Sequence, residues 1–453
     1  MAHSQGAFIG YMKNIPGIFL HALAVVLCVS GFTYGTTSHE SASGKAGGKS
    51  VNWRHFRFDP KHTGNQSLEQ TLSQQNVGAA GLLWQADLGG ELVNLSSPAV
   101  VDGIVYIGES DGALSAYPAK GCGSDFCDVP LWRSTNLASI IDSPAVANGI
   151  VYVGSQTNFN DAHGKLNAFT AAGCGQSICA PLWQGKAGAS GVQSSPVVWK
   201  GFVFVGSPDG KLFAFNADGC GLMLCSPVWT GKTGGGIEST PVVYQSTVMV
   251  GADDGKLYAF KAAGCGKATC KPRWTADIHG PAFESSPAVA EGVVYIASNH
   301  ALSAFDATGC DGAKSCKPLW QAIDDNDFFG GSPAIANGLV YMPLESQLNV
   351  YDAAGCGHAT CNPRFTLFGS GAQDGIESSP TIANGVVYAA RNSGELLAWP
   401  AQCQQGSCDE IWKGFTDDPL LNSSPTVVDG KIYIGGSNHG FGGRLYVFGL
   451  QSQ

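Results

Sequence analysis

At 453 residues the chain exceeds the usual size of one domain, yet only 13% of its residues are charged and 62 are glycine. That composition excludes a disordered chain and fits a β-rich fold with many tight turns. A formal net charge of −10, a pI near 5.4 and the lack of any run of Lys and Arg exclude a nucleic-acid-binding surface, which needs a concentrated basic face.

Residues 1–36 read as a signal peptide or N-terminal anchor. Lys13 precedes an apolar run from Ile15 to Phe32, and Gly31, Gly35 and Thr36 supply small residues at its end. The run is about long enough to cross a bilayer, so cleavage and anchoring are both open. Either way the chain is expected to be exported, meeting membrane only through this segment. Residues 37–50, rich in Ser, Gly and Lys, read as a flexible linker.

From 51 to 450 the chain repeats itself. Units open on Trp84, Trp132, Trp183, Trp229, Trp274, Trp320, Phe365 and Trp412, spaced 45 to 51 residues apart, and each then carries a Ser-Pro step, as in SSPAVVDGIVYIGESDGALSAY at 96–117. Short runs of β-branched and aromatic residues are separated by Asp102-Gly103, Asn148-Gly149, Asn337-Gly338, Asn384-Gly385 and Asp429-Gly430, the dipeptides of type I′ hairpins. A second turn one strand later, such as Asp209-Gly210, makes four strands per unit. One four-stranded sheet cannot bury both apolar faces, so the units must stack in a ring. The fold class is therefore all-β: an eight-bladed β-propeller of four-stranded blades. The last unit ends at 444–450 without a Trp strand and the chain opens with an unpaired one at 82–89, so the N-terminal strand is expected to close the final blade.

Fourteen of the fifteen cysteines fall into seven local pairs: Cys122/Cys127, Cys174/Cys179, Cys220/Cys225, Cys265/Cys270, Cys310/Cys316, Cys356/Cys361 and Cys403/Cys408. One pair per blade in blades one to seven, with Cys28 left in the targeting segment, reads as disulfides formed in an oxidising compartment. Zinc would need C-x2-C pairs that converge, and these lie in different blades. Each closes a loop of about six residues, worth roughly 2 kcal/mol. Their expected effect is local, pinning the outer loop between third and fourth strands rather than joining blades.

The repeat W…SSPxVxDGxVYxGxxDGxLxAx…W resembles that of the pyrroloquinoline-quinone (PQQ)-like β-propeller family, of the quinoprotein alcohol dehydrogenase-like superfamily, over residues 51–450. It is similar both to quinoprotein alcohol dehydrogenases and to the propeller lipoprotein of the outer-membrane β-barrel assembly machinery. The opening stretch 52–73, with its Arg-Phe-Asp-x-x-x-Thr-Gly motif at 57–64, also resembles secreted members. The resemblance implies the fold strongly and the function weakly, since the family holds redox enzymes as well as binding proteins. A quinoprotein would hold PQQ in the central funnel beside Ca²⁺, with an Asp base. The Cys-Cys dipeptide and the C-x-x-C-H haem segment often found in such enzymes do not occur here, and the short repeats leave little room for active-site insertions.

The residue before each Ser-Pro step begins the innermost strand, and in blade order these are Leu95, Ile141, Gln193, Glu238, Glu284, Gly330, Glu377 and Asn422. Gln193, Glu238, Glu284, Glu377 and Asn422 form a candidate cofactor-binding ring at the funnel mouth, and Glu238, Glu284 and Glu377 could hold Ca²⁺ through oxygen ligands. Asp374 and the Asp324-Asp325-Asn326-Asp327 run lie near the same rim, although the run does not match an EF-hand loop. The simpler reading is a polar, solvated lining with no cofactor. His55, His62, His163, His279, His300, His358 and His439 are scattered and read as turn or surface residues. The Ser-Pro serines read as structural, with no nucleophile among them. Asn65, Asn94 and Asn422 begin N-glycosylation sequons, used only on a eukaryotic secretory route. The expected function is that of an exported, monomeric, non-catalytic binding or scaffold propeller. It presents its funnel and rim loops, including Phe283 and Phe328-Phe329, to a protein or polysaccharide partner. A PQQ- and Ca-dependent dehydrogenase oxidising an alcohol or sugar is the alternative.

Overall fold

The computed structural model describes residues 51–451 except 90–95, 110, 141, 157–163, 283–284, 325–329, 372–373, 405, 421 and 438–442. The signal or anchor and the linker expected at 1–50 lie outside the described residues. Eight sheets follow in chain order, each built on a four-stranded antiparallel meander. In blade 3 the strands are Val197–Trp199, Phe202–Ser207, Lys211–Asn216 and Trp229–Lys232, paired each to the next. The Asp-Gly and Asn-Gly turns take the expected conformation, with Asp102, Asn148, Asn337, Asn384 and Asp429 at φ between 46° and 52° and a positive-φ glycine after each.

Because every blade is covered on both faces, strands such as Val386–Ala390 are buried at each position rather than alternately. Each core cluster is shared by two consecutive blades: Val197, Phe204 and Leu212 of blade 3 pack with Val243, Val250 and Phe260 of blade 4. The ring closes as the strand pattern predicts. Ala80–Asp87 pairs antiparallel with Arg444–Leu450, completing blade 8, and Trp84 packs there with Val105 and Ile107 of blade 1 and Tyr433 of blade 8.

The recurring Trp joins blade to blade. Nε1 of Trp132, Trp229 and Trp320 donates to the carbonyl of Ala171, Ala262 and Ala353 in the next blade, at 3.1–3.2 Å. Against each ring lies the glycine that precedes the first cysteine of the loop: a Cβ at Gly173 (φ 82°) would stand 2.6 Å from the Trp132 ring. Six of the seven disulfide loops keep this glycine. The seventh has Gln402 there, in the one unit that opens on Phe365 rather than Trp.

All seven expected disulfides form. Their effect is not confined to their own blades, which corrects the local role expected from loop length. The second cysteine of each loop, or a neighbour of it, lies in a short segment that pairs parallel with the outer strand of the preceding blade: Ile178–Cys179 on Trp132–Ser134, Leu224–Cys225 on Trp183–Lys186, Thr269–Cys270 on Trp229–Lys232, and Phe126 opposite Gln85. The loops thus act as straps that cover the outer edge of the previous sheet, where unpaired N–H and C=O groups would otherwise stand open.

The two cysteines of a loop differ in burial: Cys122, Cys174 and Cys356 are exposed. Their partners Cys127, Cys179 and Cys361 are instead buried, at 1%, 2% and 5% exposure, as are Cys225, Cys270 and Cys316. Each sits in an inter-blade core beside the Trp that opens its unit: Cys127 clusters with Trp84 and Tyr117, Cys179 with Trp132 and Phe169, and Cys361 with Trp320 and Tyr351. The cause is the strap pairing. The N–H groups of Cys127 and Cys361 donate to the carbonyls of Gln85 and Gln321 in the preceding blade, both at 2.8 Å, which draws the second sulfur inward under the strap. In blade 8 the third and fourth strands, Arg444–Leu450 and Ala80–Asp87, are not consecutive in the chain, and on the outer strand of blade 7 the turn Val77–Ala79 with Ala80 takes the place of a strap, the Ala80 carbonyl accepting from Trp412 Nε1 at 2.9 Å.

Two glycines in one loop separate packing from backbone strain. Gly173 and Gly175 have nearly equal φ (82° and 77°), but a Cβ on Gly175 meets nothing within 4 Å. Gly175→Ala should cost about 1 kcal/mol, the left-handed penalty alone, and Gly173→Ala should cost roughly 1–3 kcal/mol more through overpacking on Trp132. Equal losses in denaturant unfolding would remove the Trp-glycine contact as a determinant of blade docking.

Candidate functional site

The Ser-Pro steps form two sets of hydrogen bonds around the channel. The second residue of each step accepts, through its hydroxyl, the backbone N–H of the same residue in the preceding blade: Ser97 to Ser143, Ser143 to Ser195, Ser195 to Thr240, and on through Ser286, Ser332, Ser379 and Ser424 back to Ser97. Eight bonds of 2.8–3.2 Å close a circle. In six blades the first residue of the step is a serine that works within its own blade, accepting the N–H twelve residues on, as Ser194 does from Gly206 at 2.6 Å and Ser423 from Gly435 at 3.0 Å; blade 6 has Gly331 there.

Blade 2 breaks this pattern. Asp142 stands where the repeat has serine, and its Oδ2 accepts the Gly154 N–H at 2.8 Å while Oδ1 is buried without a hydrogen-bond partner. The residue is 4% exposed, and burial pushes its carboxyl well above the ordinary carboxylate range.

Below the serine circle the opening segment winds once around the channel wall. Trp53 exchanges two backbone bonds with Val100 of blade 1. The carbonyls of Arg54, Pro60, Lys61, Thr63 and Gly64 then accept in turn from Val146, Val243, Val289, Ile335 and Ile382, of blades 2, 4, 5, 6 and 7. Blade 8 is met by Glu69, which accepts from the Gly430 N–H at 3.1 Å. His55, Arg57 and His62 are buried in the middle of this collar, with Arg57 Nη2 donating to the Pro333 carbonyl at 2.9 Å. The Arg-Phe-Asp-x-x-x-Thr-Gly motif has its reason here. Asp59 Oδ1 accepts from the Lys61 N–H at 2.9 Å and holds the turn, and Gly64 at φ 64° leaves space for the Arg57 guanidinium.

His55 and His62 are therefore not the turn or surface residues expected from their scatter. Burial, aided by neighbouring Arg54 for His55 and by His55 and Arg57 for His62, lowers them to about 4 and about 3. The motif at 57–64 was the available signal, but nothing in it said that the segment lies inside the ring.

The collar turns the channel into a cup of about 160 Å³, lined by Asp142, Gln193, Glu238, Glu377 and Asn422, by the hydroxyls of the serine circle, and by Phe56. Four of the five expected ring residues, Gln193, Glu238, Glu377 and Asn422, thus share one cavity, each half-buried. Asn422 Oδ1, like Asp142 Oδ1, is buried without a hydrogen-bond partner. Glu284, Phe283, Leu95, Ile141, Asp325-Asn326-Asp327 and Phe328-Phe329 lie outside the described residues. Gly330 is buried, Asp324 bonds through its N–H to the His300 carbonyl, and Asp374 accepts from the Ser393 N–H. Asp142 was missed. Its signal was a carboxylate at a position held elsewhere by Ser or Gly.

A family profile described as outer membrane protein assembly factor BamB (PQQ_2) matches residues 226–452, half of the chain. The chain belongs to this PQQ-like propeller family. No curated protein matches it. Among solved structures, quinohemoprotein alcohol dehydrogenase from Comamonas testosteroni is 15% identical with a TM-score of 0.67, over 89% of this chain and 81% of that one. BamB from Moraxella catarrhalis is 16% identical with a TM-score of 0.57, over 83% and 98%. The computationally designed protein Ika8 is 14% identical with a TM-score of 0.58, over 80% and 98%. At these identities the likeness establishes the fold, which a dehydrogenase and an assembly factor share.

The lining fits PQQ poorly. That cofactor is a fused tricyclic quinone with three carboxylates, whereas the described lining offers three carboxyls, no Lys or Arg, and one aromatic ring. The cup is also below the ~300 Å³ at which pockets for ligands of drug size begin. Among the described residues no three His, Cys, Asp or Glu side chains converge as metal ligands.

Two pH effects of opposite sign follow. Asp142 has its folded pKa raised above 3.8, so its contribution is complete below that pH and is lost as pH rises through the folded pKa. Asp142→Ser restores the repeat and should stabilise by about 1–3 kcal/mol at neutral pH, with the gain disappearing near pH 4. His55 and His62 have depressed folded pKa values, so their contribution is complete above 6.5 and is lost as pH falls through about 4 and about 3. Stability should decline by up to ~1.4 kcal/mol per pH unit for each histidine over that window, and His55→Leu should halve the slope. Unfolding curves at stepped pH check both.

Proposed function

We propose that this protein is an exported, non-catalytic binding propeller whose closed acidic cup takes a cationic group, an ammonium or guanidinium, from a protein or polymer partner. The observation that carries this reading is the pair of buried acceptor oxygens without partners, Asp142 Oδ1 and Asn422 Oδ1, in a cup that also holds Glu238 and Glu377. A buried acceptor left unpaired costs stability, and an N–H donor entering the cup would supply the missing bonds. The volume suits the end of a Lys or Arg side chain. Seven disulfides suit an oxidising compartment, which supports export. The competing reading, a PQQ- and Ca-dependent dehydrogenase, draws on the likeness to quinohemoprotein alcohol dehydrogenase and on the oxygen-rich ring, and it meets an anionic lining that would repel an anionic cofactor.

Calorimetric titration with a hexalysine peptide, and separately with PQQ with and without Ca²⁺, distinguishes the two. Hexalysine should bind in a salt-sensitive manner, and Glu238→Gln/Glu377→Gln should weaken it by about tenfold or more. Calcium-dependent PQQ binding that disappears in the same variant, with dye-linked alcohol oxidation, would overturn the proposal.

A further inference from the structure

The outer rim carries an apolar surface that neither the blades nor the cup uses. Leu182, Leu222, Met223 and Leu224 stand 49%, 69%, 60% and 50% exposed. The fold gathers them. Leu224 lies opposite Gln184 in a parallel pair and the Met223 carbonyl accepts the Gln184 N–H at 2.8 Å, which sets the strap beside the strand Trp183–Lys186 that Leu182 precedes. The Cys220–Cys225 disulfide closes the loop that bears Leu222, Met223 and Leu224, so this display is held in place. A contiguous apolar tip kept in water marks a surface that meets something else.

One-eighth of a turn further round the ring, segment 261–273 carries Lys261, Lys267, Lys271 and Arg273 with no acidic residue, and the next strap carries Lys314 and Lys317 on either side of Cys316 against one acid, Asp311. These basic side chains are exposed. In a chain of net charge −10 this is a local reversal of sign, assembled by the ring rather than by any basic run. Val228, 54% exposed, bridges the two zones beside the strap that holds Lys267.

The shape of the surface selects the occupant. Strap tips on a convex rim offer little area to a rigid protein, whereas a bilayer deforms to meet them. A two-fold contact through this surface would gather the lysines of both copies into one interface. Apolar tips flanked by lysines match the two layers of an anionic membrane surface, acyl chains and headgroups.

We propose that the rim of blades 3 to 5 docks on an anionic lipid bilayer, with Leu222, Met223 and Leu224 entering the acyl region and the lysines of blades 4 and 5 lying on the headgroups. The test is hydrogen exchange of the full chain on phosphatidylcholine vesicles with and without equimolar phosphatidylglycerol. Amides of 218–228 and 264–273 should be protected on the anionic vesicles only. The loop Cys403–Cys408, half a turn away, should exchange as in solution, which separates rim docking from tethering by the N-terminal apolar run. Leu222→Ser/Met223→Ser/Leu224→Ser should abolish the protection, and each of Lys267→Glu and Lys271→Glu should weaken it at least about fivefold, with melting temperatures unchanged because these side chains are exposed. Lack of protection on anionic vesicles, or equal protection on phosphatidylcholine alone, would sink the proposal. Equal protection by soluble polyglutamate without lipid would replace the bilayer with an acidic polymer or protein.

Discussion

The circle of eight hydroxyl-to-amide bonds at the Ser-Pro steps is the constraint on which the rest of the propeller depends. The amide before each proline lies above the first ladder bond of the inner strand and has no partner within its own sheet. A buried N–H left alone would be costly, and the neighbouring blade's hydroxyl satisfies it. Each bond fixes one blade against the next, and closure makes every blade's position depend on all the others. The circle also places the residue one step earlier in every blade at the same height, so Gln193, Glu238, Glu377 and Asn422, far apart in the chain, meet in one cavity.

The periphery solves a different problem. Each blade ends on an outer strand with an open edge, and the disulfide straps cover it with two residues from the following blade, while Trp docks under a glycine of the same strap and beside its second, buried cysteine. The straps therefore resist both edge-to-edge association and separation of blades. Where the outer strand opens on Phe365 the strap has Gln402 in place of the glycine, and on the outer strand of blade 7 the turn at Val77–Ala79 takes the place of a strap.

The cup is where the regularity is given up. Asp142 accepts a hydrogen bond that serine makes elsewhere and leaves a second oxygen buried and unpaired, and local departures of this kind gather at functional sites. Beneath it, His55, Arg57 and His62 are buried in a segment whose backbone bonds to the inner strands of blades 1, 2, 4, 5, 6 and 7. The collar links the inner strands of six blades from inside the ring.

Repetition made the fold legible. Period, hairpin dipeptides, paired cysteines and the unpaired Trp strand at 82–89 are local signals repeated along the chain, and they determined blade number, ring closure and the disulfide pairs without reference to distance. Gln193, Glu238, Glu377 and Asn422 were legible as a set because they share one repeat position, although they precede the inner strands rather than begin them, as Gln193 precedes Val197–Trp199. What the sequence could not convey arises between segments remote in the chain. The collar of 53–64 lies inside the ring because its carbonyls meet inner strands up to some three hundred residues away. The burial of His55 and His62, the inward turn of Cys127, Cys179 and Cys361 under straps that join blades, and the basic arc beside Leu222 and Met223 depend likewise on which blade faces which. A repeat specifies what each unit offers; only closure of the ring decides what those offers meet.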